Sequence, residues 1–186
     1  MAGRPCPMTI ERLSPHHAPA YRALMLEAYA RHPDAFTASV EERAGLPLAW
    51  WEARLAPGEM VDEMVFGALE GAELAGVAGL SFETRPKLRH KAGLFGMYVA
   101  PAWRAGGLGL QLVQAVLAQA RERPGIRQVQ LTVSDGNAAA EALYARCGFV
   151  RFGVEPRAMA LGDGFVAKVH MWCDLGPPSG NAPRPS

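Results

Sequence analysis

The sequence predicts a mixed α/β domain built round one twisted sheet, and three observations predict it. Apolar runs of strand length, bounded by turn residues, interleave with stripes of helical period. Residues 93–133 form a strand–helix–strand stretch long enough for a parallel crossover, which is right-handed in nearly all proteins. The 186 residues, 49% of them hydrophobic, suffice for one domain with a real core and are short for two domains. The expected domain is residues 8–175. Residues 1–7 and 176–186 read as flexible tails, the second being the Pro/Gly/Ser-rich GPPSGNAPRPS.

Each element has its own signal. Residues 9–13, TIERL, alternate as a short first strand does. Ser14-Pro15 is a helix cap followed by proline at the first helical position. Tyr21, Leu24, Met25, Ala28 and Tyr29 then recur at helical spacing, and the helix should stop near His32-Pro33. A second helix is expected over residues 48–55, with Trp50, Trp51 and Leu55 apolar. Residues 64–69 and 74–82 flank a turn at 70–73 and read as a hairpin. Residues 93–99 are another apolar strand. Leu112, Val113, Val116, Leu117 and Ala120 form a helical stripe within 110–121, closed by Pro124-Gly125. Residues 129–133 are a strand. Residues 137–146 are an Ala-rich helix that ends at Cys147-Gly148, with Gly148 a left-handed cap. Residues 150–154 and 166–175 are the last strands, joined by a loop that holds Gly162-Asp163-Gly164.

Bulk properties exclude several functions. The formal charge of +1 argues against a polyanion partner such as nucleic acid. No stretch approaches the 18 apolar residues of a membrane span, and the N-terminus lacks the apolar core of a signal peptide. The three cysteines, Cys6, Cys147 and Cys173, match no zinc spacing and read as reduced thiols of a cytoplasmic protein. His16, His17 and His32 have no ligand-like spacing with carboxylates, so no metal is expected.

The stretch YVAPAWRAGGLGLQLV, residues 98–113, places three glycines where a helix is about to begin. Glycine inside a helix costs roughly 1 kcal/mol relative to alanine. At a strand-to-helix junction, however, bare N–H groups and the positive end of the helix make a site for phosphate or pyrophosphate. The alternative is a tight packing turn. Two familiar phosphate loops fail: no lysine lies between Lys91 and Lys168, and Leu112 stands where a dinucleotide loop needs its third glycine.

The pattern V-x-P-x-x-R-x-x-G-x-G is filled by Val99, Pro101, Arg104, Gly107 and Gly109. A second pattern follows: Asn137, Ala140, Leu143, Tyr144, Arg146, Gly148 and Phe149. Together they resemble the GNAT family of acyl-CoA-dependent N-acetyltransferases, over about residues 8–175. YRALMLEAYARHPDAFTASVEE and GVEPRAMALGDGFVAKVHMWCDL are similar to one bacterial subgroup of it. The chain departs from that subgroup at Ala167-Lys168, where an Asp-Glu pair often stands, and so reverses the local charge.

The resemblance implies a sheet of about seven strands flanked by about four helices, splayed between the fourth and fifth strands. It implies acetyl-CoA as co-substrate and transfer of its acetyl group to a primary amine of a small molecule or protein. That reaction needs an acceptor for the ammonium proton, since an alkyl amine has a pKa near 10.4, and a donor for the oxyanion. The resemblance gives the backbones of Met97, Tyr98 and Val99 to pantetheine and the thioester carbonyl. It gives Arg104, Ala105, Gly106, Gly107, Leu108, Gly109 and Leu110 to the pyrophosphate. Asn137 would touch the CoA arm, or cap its helix, or both. Tyr144 would be the acid that protonates the leaving sulfur and would line the CoA site.

The base is open. Residues 94–97 carry no carboxylate, which leaves Glu83, His170 or a water chain. The acceptor pocket is expected near Glu27, Tyr29 and Phe36 and the loop 157–165, although Glu27 and Arg31 also read as a plain surface pair. The other reading is a non-catalytic acyl-CoA-binding module serving as sensor or partner domain. The chain is expected to be a monomer or a homodimer.

Overall fold

The computed structural model describes residues 7–176. Seven strands form one sheet in the order β1-β2-β3-β4-β5-β7-β6. They are β1 Met8–Arg12, β2 Glu63–Glu70, β3 Glu73–Phe82, β4 Lys91–Val99, β5 Gln128–Ser134, β6 Val150–Leu161 and β7 Gly164–Asp174. Five α-helices flank it: α1 Ala18–Arg31, α2 Val40–Ala44, α3 Leu48–Arg54, α4 Leu108–Glu122 and α5 Ala138–Arg146. Every strand pair is antiparallel except β4–β5, the ends of the expected crossover.

Two cores follow from strand alternation. On one face, Leu94, Val129, Leu131, Val133, Val169 and Met171 pack with Leu112, Val116 and Tyr144 of α4 and α5. On the other, Val65, Val77 and Tyr98 pack with Tyr21, Met25 and Tyr29 of α1 and with Trp51 of α3. The alternation assigns one set of side chains to each helix layer.

Local differences from the expected elements have plain causes. Ser14-Pro15 opens a 3-10 turn, Pro15–His17, before α1. The short α2 is capped by Ser39, which accepts from the Glu42 N–H while the Glu42 carboxylate accepts from the Ser39 N–H. That is a capping box, and its five residues are too few for a periodic stripe. The expected loop 157–165 is instead the end of a long hairpin: β6 runs to Leu161 and β7 starts at Gly164, so the turn is Gly162-Asp163. Mostly exposed residues line β6, so it carries no core-facing alternation to read. The expected tails lie outside the described residues, apart from Pro7 and Gly176.

Candidate functional site

β4 and β5 are paired only at Lys91–Gln128, Ala92–Val129 and Gly93–Gln130. Beyond Gly93 they diverge. From Leu94 onward, the edge of β4 that faces β5 has no ladder partner. Part of the cause lies in β4 itself. Gly96 has φ +59, and the register to β3 shifts there: Val77 opposes Tyr98, but Gly79 opposes Phe95. This is a bulge with glycine in the left-handed conformation, which bends the strand and turns the next residues. Gly79 allows it, because the Phe95 ring occupies the space a Cβ there would take.

Past Val99 the chain makes a 3-10 turn, Pro101–Gly106, and then α4. Gly107 is the joint, with φ +72 and ψ 12. The first α-helical bond is Gln111 N–H to the Gly107 carbonyl at 3.2 Å, so the N–H groups of Leu108, Gly109 and Leu110 have no partner within the helix. A Cβ at Gly107 would meet nothing within 4 Å, whereas one at Gly109 would come within 3.1 Å of both Leu143 and Met97. Gly107 thus leaves the helix end open, and Gly109 lets α4 approach β4 and α5.

The splay and the helix end share one cleft of about 1040 Å³, at the upper end of the range for ligand sites. One side is made of β4 residues Leu94–Val99, the start of α4, Asn137 at the cap of α5, and Ala140, Leu143 and Tyr144 of α5. Its other wall is made of the segment after α1, His32 and Asp34–Thr37, with Thr132–Asp135 and Lys168.

A scan against family models matches residues 20–149 to the acetyltransferase (GNAT) family. The chain belongs to that family. The chain is 34% identical to a mycothiol acetyltransferase of Salinispora arenicola over 134 residues, which are 72% of this chain and 41% of that protein. The chain therefore spans well under half the length of the curated relatives it matches. Among solved structures, a GNAT-family acetyltransferase from Streptococcus pneumoniae superposes with TM-score 0.81 at 24% identity, covering 91% of this chain and all of that one. YncA of Salmonella typhimurium, solved with its cofactor acetyl-CoA, superposes at 0.75 with 23% identity, covering 96% of this chain and 98% of that one. The GNAT sheet with its parallel β4–β5 pair is the fold expected from the sequence.

Within this GNAT cleft the predicted residues separate into two groups. Met97, Tyr98, Val99, Arg104, Gly107, Gly109, Leu110, Asn137 and Tyr144 all line it, as does Phe36. Leu108 points into the core, Gly106 ends the exposed 3-10 turn, and Ala105 lies within that turn. Asn137 caps α5 by accepting from the Ala140 N–H at 3.2 Å. Arg104 folds back: its Nε donates to the Val99 carbonyl at 3.0 Å, and its terminal nitrogen lies 3.0 Å from His32 Nε2. Tyr144 is 6% exposed, with its ring edge-on to Phe149. Burial, and then the Cys147 thiol, push its phenol above the ordinary pKa, so it holds its proton at neutral pH.

The second group lies elsewhere. Glu83 follows the end of β3, with a carboxylate oxygen 3.4 Å from Arg85, and does not line the cleft. His170 shares the β7 face of Lys168 but lies farther along the strand, outside the cleft lining, 3.1 Å from the Glu155 carboxylate and edge-on to Phe152. Tyr29 is buried against Phe36. Glu27 reaches the cleft indirectly: it accepts from the Tyr98 hydroxyl at 3.2 Å while paired with Arg31 at 2.9 Å. The cleft also holds His32, Asp34, Ser134 and Lys168, none of which the motifs single out as site residues.

No helix among the described residues is long and apolar enough to cross a membrane. The described residues contain no group of three His, Cys, Asp or Glu side chains arranged to hold a metal.

Proposed function

We propose that the protein transfers the acetyl group of acetyl-CoA to a primary amine, by direct attack within a ternary complex in the cleft between β4 and β5. One observation carries this reading: the unpaired edge of β4, the open N-terminus of α4 and the buried Tyr144 phenol face the same space. The N–H groups of Leu108, Gly109 and Leu110, at the positive end of a 15-residue helix, fit a diphosphate. The unpaired β4 edge beside Met97 and Tyr98 offers main-chain groups to an amide-rich arm and a donor to the thioester oxygen.

Acetyl-CoA supplies the activated thioester. The chain supplies orientation and protons. The amine attacks the thioester carbon, the carbonyl oxygen gains charge beside main-chain donors, and the carbon–sulfur bond breaks. Tyr144 gives its proton to the departing sulfur. Neither Glu83 nor His170 reaches the cleft, so the ammonium proton leaves through water, past the acceptor-wall groups His32, Asp34 and Asp135. The acceptor is a small molecule or a peptide amine, entering over residues 32–37. The similarity to mycothiol acetyltransferases and the acetyl-CoA in a structural neighbour support this reading.

The test is thiol release from acetyl-CoA across a panel of primary amines. The expected result is amine-dependent release that rises with pH as the acceptor ammonium deprotonates. Tight acetyl-CoA binding with no turnover of any amine would point instead to a non-catalytic acyl-CoA-binding module.

A further inference from the structure

Lys168 is 4% exposed, on the cleft-facing side of β7. In register with it across β5 is Ser134. The ammonium donates to the Ala35 carbonyl at 2.9 Å and to the Ser134 hydroxyl at 2.9 Å. Ser134 in turn donates to the Asp34 carbonyl. This chain of donors ties the segment after α1 to two strands of the sheet and fixes the ammonium at the acceptor wall.

The ammonium has three N–H groups, and two are spent on neutral oxygens. Among the described residues no carboxylate lies within 4 Å of it. Glu155, opposite it on β6, gives its carboxylate to His170 instead. Asp34 meets the Lys168–Ser134 pair through its main-chain oxygen rather than its carboxylate. A buried cation with no partner charge is costly, and burial pushes the pKa of Lys168 down, only partly offset by Asp34. That cost is relieved when an anion arrives from outside the chain.

Taking acetyl transfer to an amine as the reaction, we propose that Lys168 determines acceptor specificity by binding a carboxylate carried by the acceptor. The acceptor class is then an amine that also bears a carboxylate, such as a free amino acid or an amino-acid conjugate. The one remaining N–H of Lys168 meets one carboxylate oxygen. Asp34, on the same wall, carries the opposite charge for the acceptor's ammonium before it loses its proton. Such an arrangement selects zwitterions and rejects their carboxamides, which keep the ammonium but lack the carboxylate and so leave the buried cation unmatched.

The experiment compares each of several amino acids with its own carboxamide, by kcat/KM and by thermal shift in the presence of CoA. The wild type is expected to prefer the free acid by at least about tenfold, the weight of one charge-assisted hydrogen bond. Lys168→Met should bring the ratio near one, and Lys168→Arg should retain part of it. Equal kcat/KM for acid and amide in the wild type would overturn the proposal. So would a Lys168→Met variant that loses both substrates in equal proportion, which is the mark of a purely structural lysine. If the methionine variant does not fold, the wild-type ratio decides. If neither member of any pair is turned over, acetyl transfer is the reading that fails. The thermal shift then decides Lys168 by itself: stabilisation by the acid and not the amide supports it, and the lack of that difference overturns it.

Discussion

In the proposed reaction, Tyr144 and Gly107 carry the most chemistry per atom. A placed general acid is worth about 10²–10⁴ in rate, so Tyr144→Phe should lower kcat by about 100-fold while moving acetyl-CoA affinity far less. Steady-state kinetics beside calorimetric titration separates the two. An unchanged kcat removes Tyr144 from the proton transfer. The raised pKa adds a sign: loss of the phenol's proton sets in only above its ordinary value near 10, so any fall in rate below that pH belongs to another group. At Gly107, any side chain meets a left-handed backbone, which costs roughly 1–2 kcal/mol. Gly107→Ala should therefore lower the melting temperature modestly and weaken acetyl-CoA binding, because a Cβ would stand at the open helix end. Both residues were legible in the sequence because their motifs are contiguous. Lys168 was half legible. A lysine inside the apolar run FVAKVHMW signals a buried cation, yet its partners Ala35 and Ser134 lie 133 and 34 residues away, beyond any local pattern.

At the scale of elements, β4 decides the shape of the cleft and α1 covers one face of the sheet. The bulge at Gly96 depends on the Phe95 ring filling the space above Gly79. Gly79→Ala overpacks that contact, at a cost of about 1–3 kcal/mol. For a domain of this size, at about 2–4 °C per kcal/mol, the expected fall in melting temperature is about 2–12 °C. A thermal melt that does not move would show that the strand accommodates a methyl group without shifting. In α1, burial pushes the Tyr21 phenol up to about 12, with nearby Arg54 opposing the shift. The unfolded chain ionises near 10. The folded protein keeps a proton that the unfolded chain gives up, so this contribution is complete below pH 10 and is lost as pH rises towards 12. Tyr21→Phe should flatten the alkaline stability loss by roughly 3 kcal/mol, measured by urea unfolding at stepped pH. The helical stripe that includes Tyr21 was visible in the sequence because α1 buries one face. The outer part of the β6–β7 arm, residues 155–165, was not: those residues are mostly exposed and carry no core-facing alternation beyond the strands read at 150–154 and 166–175. Nor does the sequence show that Glu83 and His170 lie away from the cleft, since their distance from the β4–β5 splay is set by the folded sheet and not by any local pattern.

Across the whole molecule, the near-neutral chain concentrates its function in one place. Among the charged groups that line the cleft, Arg104, Arg146 and Lys168 outnumber Asp34 and Asp135, a slight cationic excess that suits a phosphorylated donor. The donor half rests on main-chain geometry created where a parallel pair ends, and it follows from strand and helix patterns read in order. The acceptor half rests on side chains from residues 32–37, β5 and β7 that meet only in the folded chain. The measurement that tests the central claim most directly is a calorimetric titration with acetyl-CoA and with acetyl-pantetheine, which lacks the diphosphate. The account predicts one acetyl-CoA per chain and at least about a hundredfold weaker binding of acetyl-pantetheine, the worth of two charge-assisted hydrogen bonds at the α4 N-terminus. Equal affinity for the two thioesters, or no binding of acetyl-CoA, would contradict it.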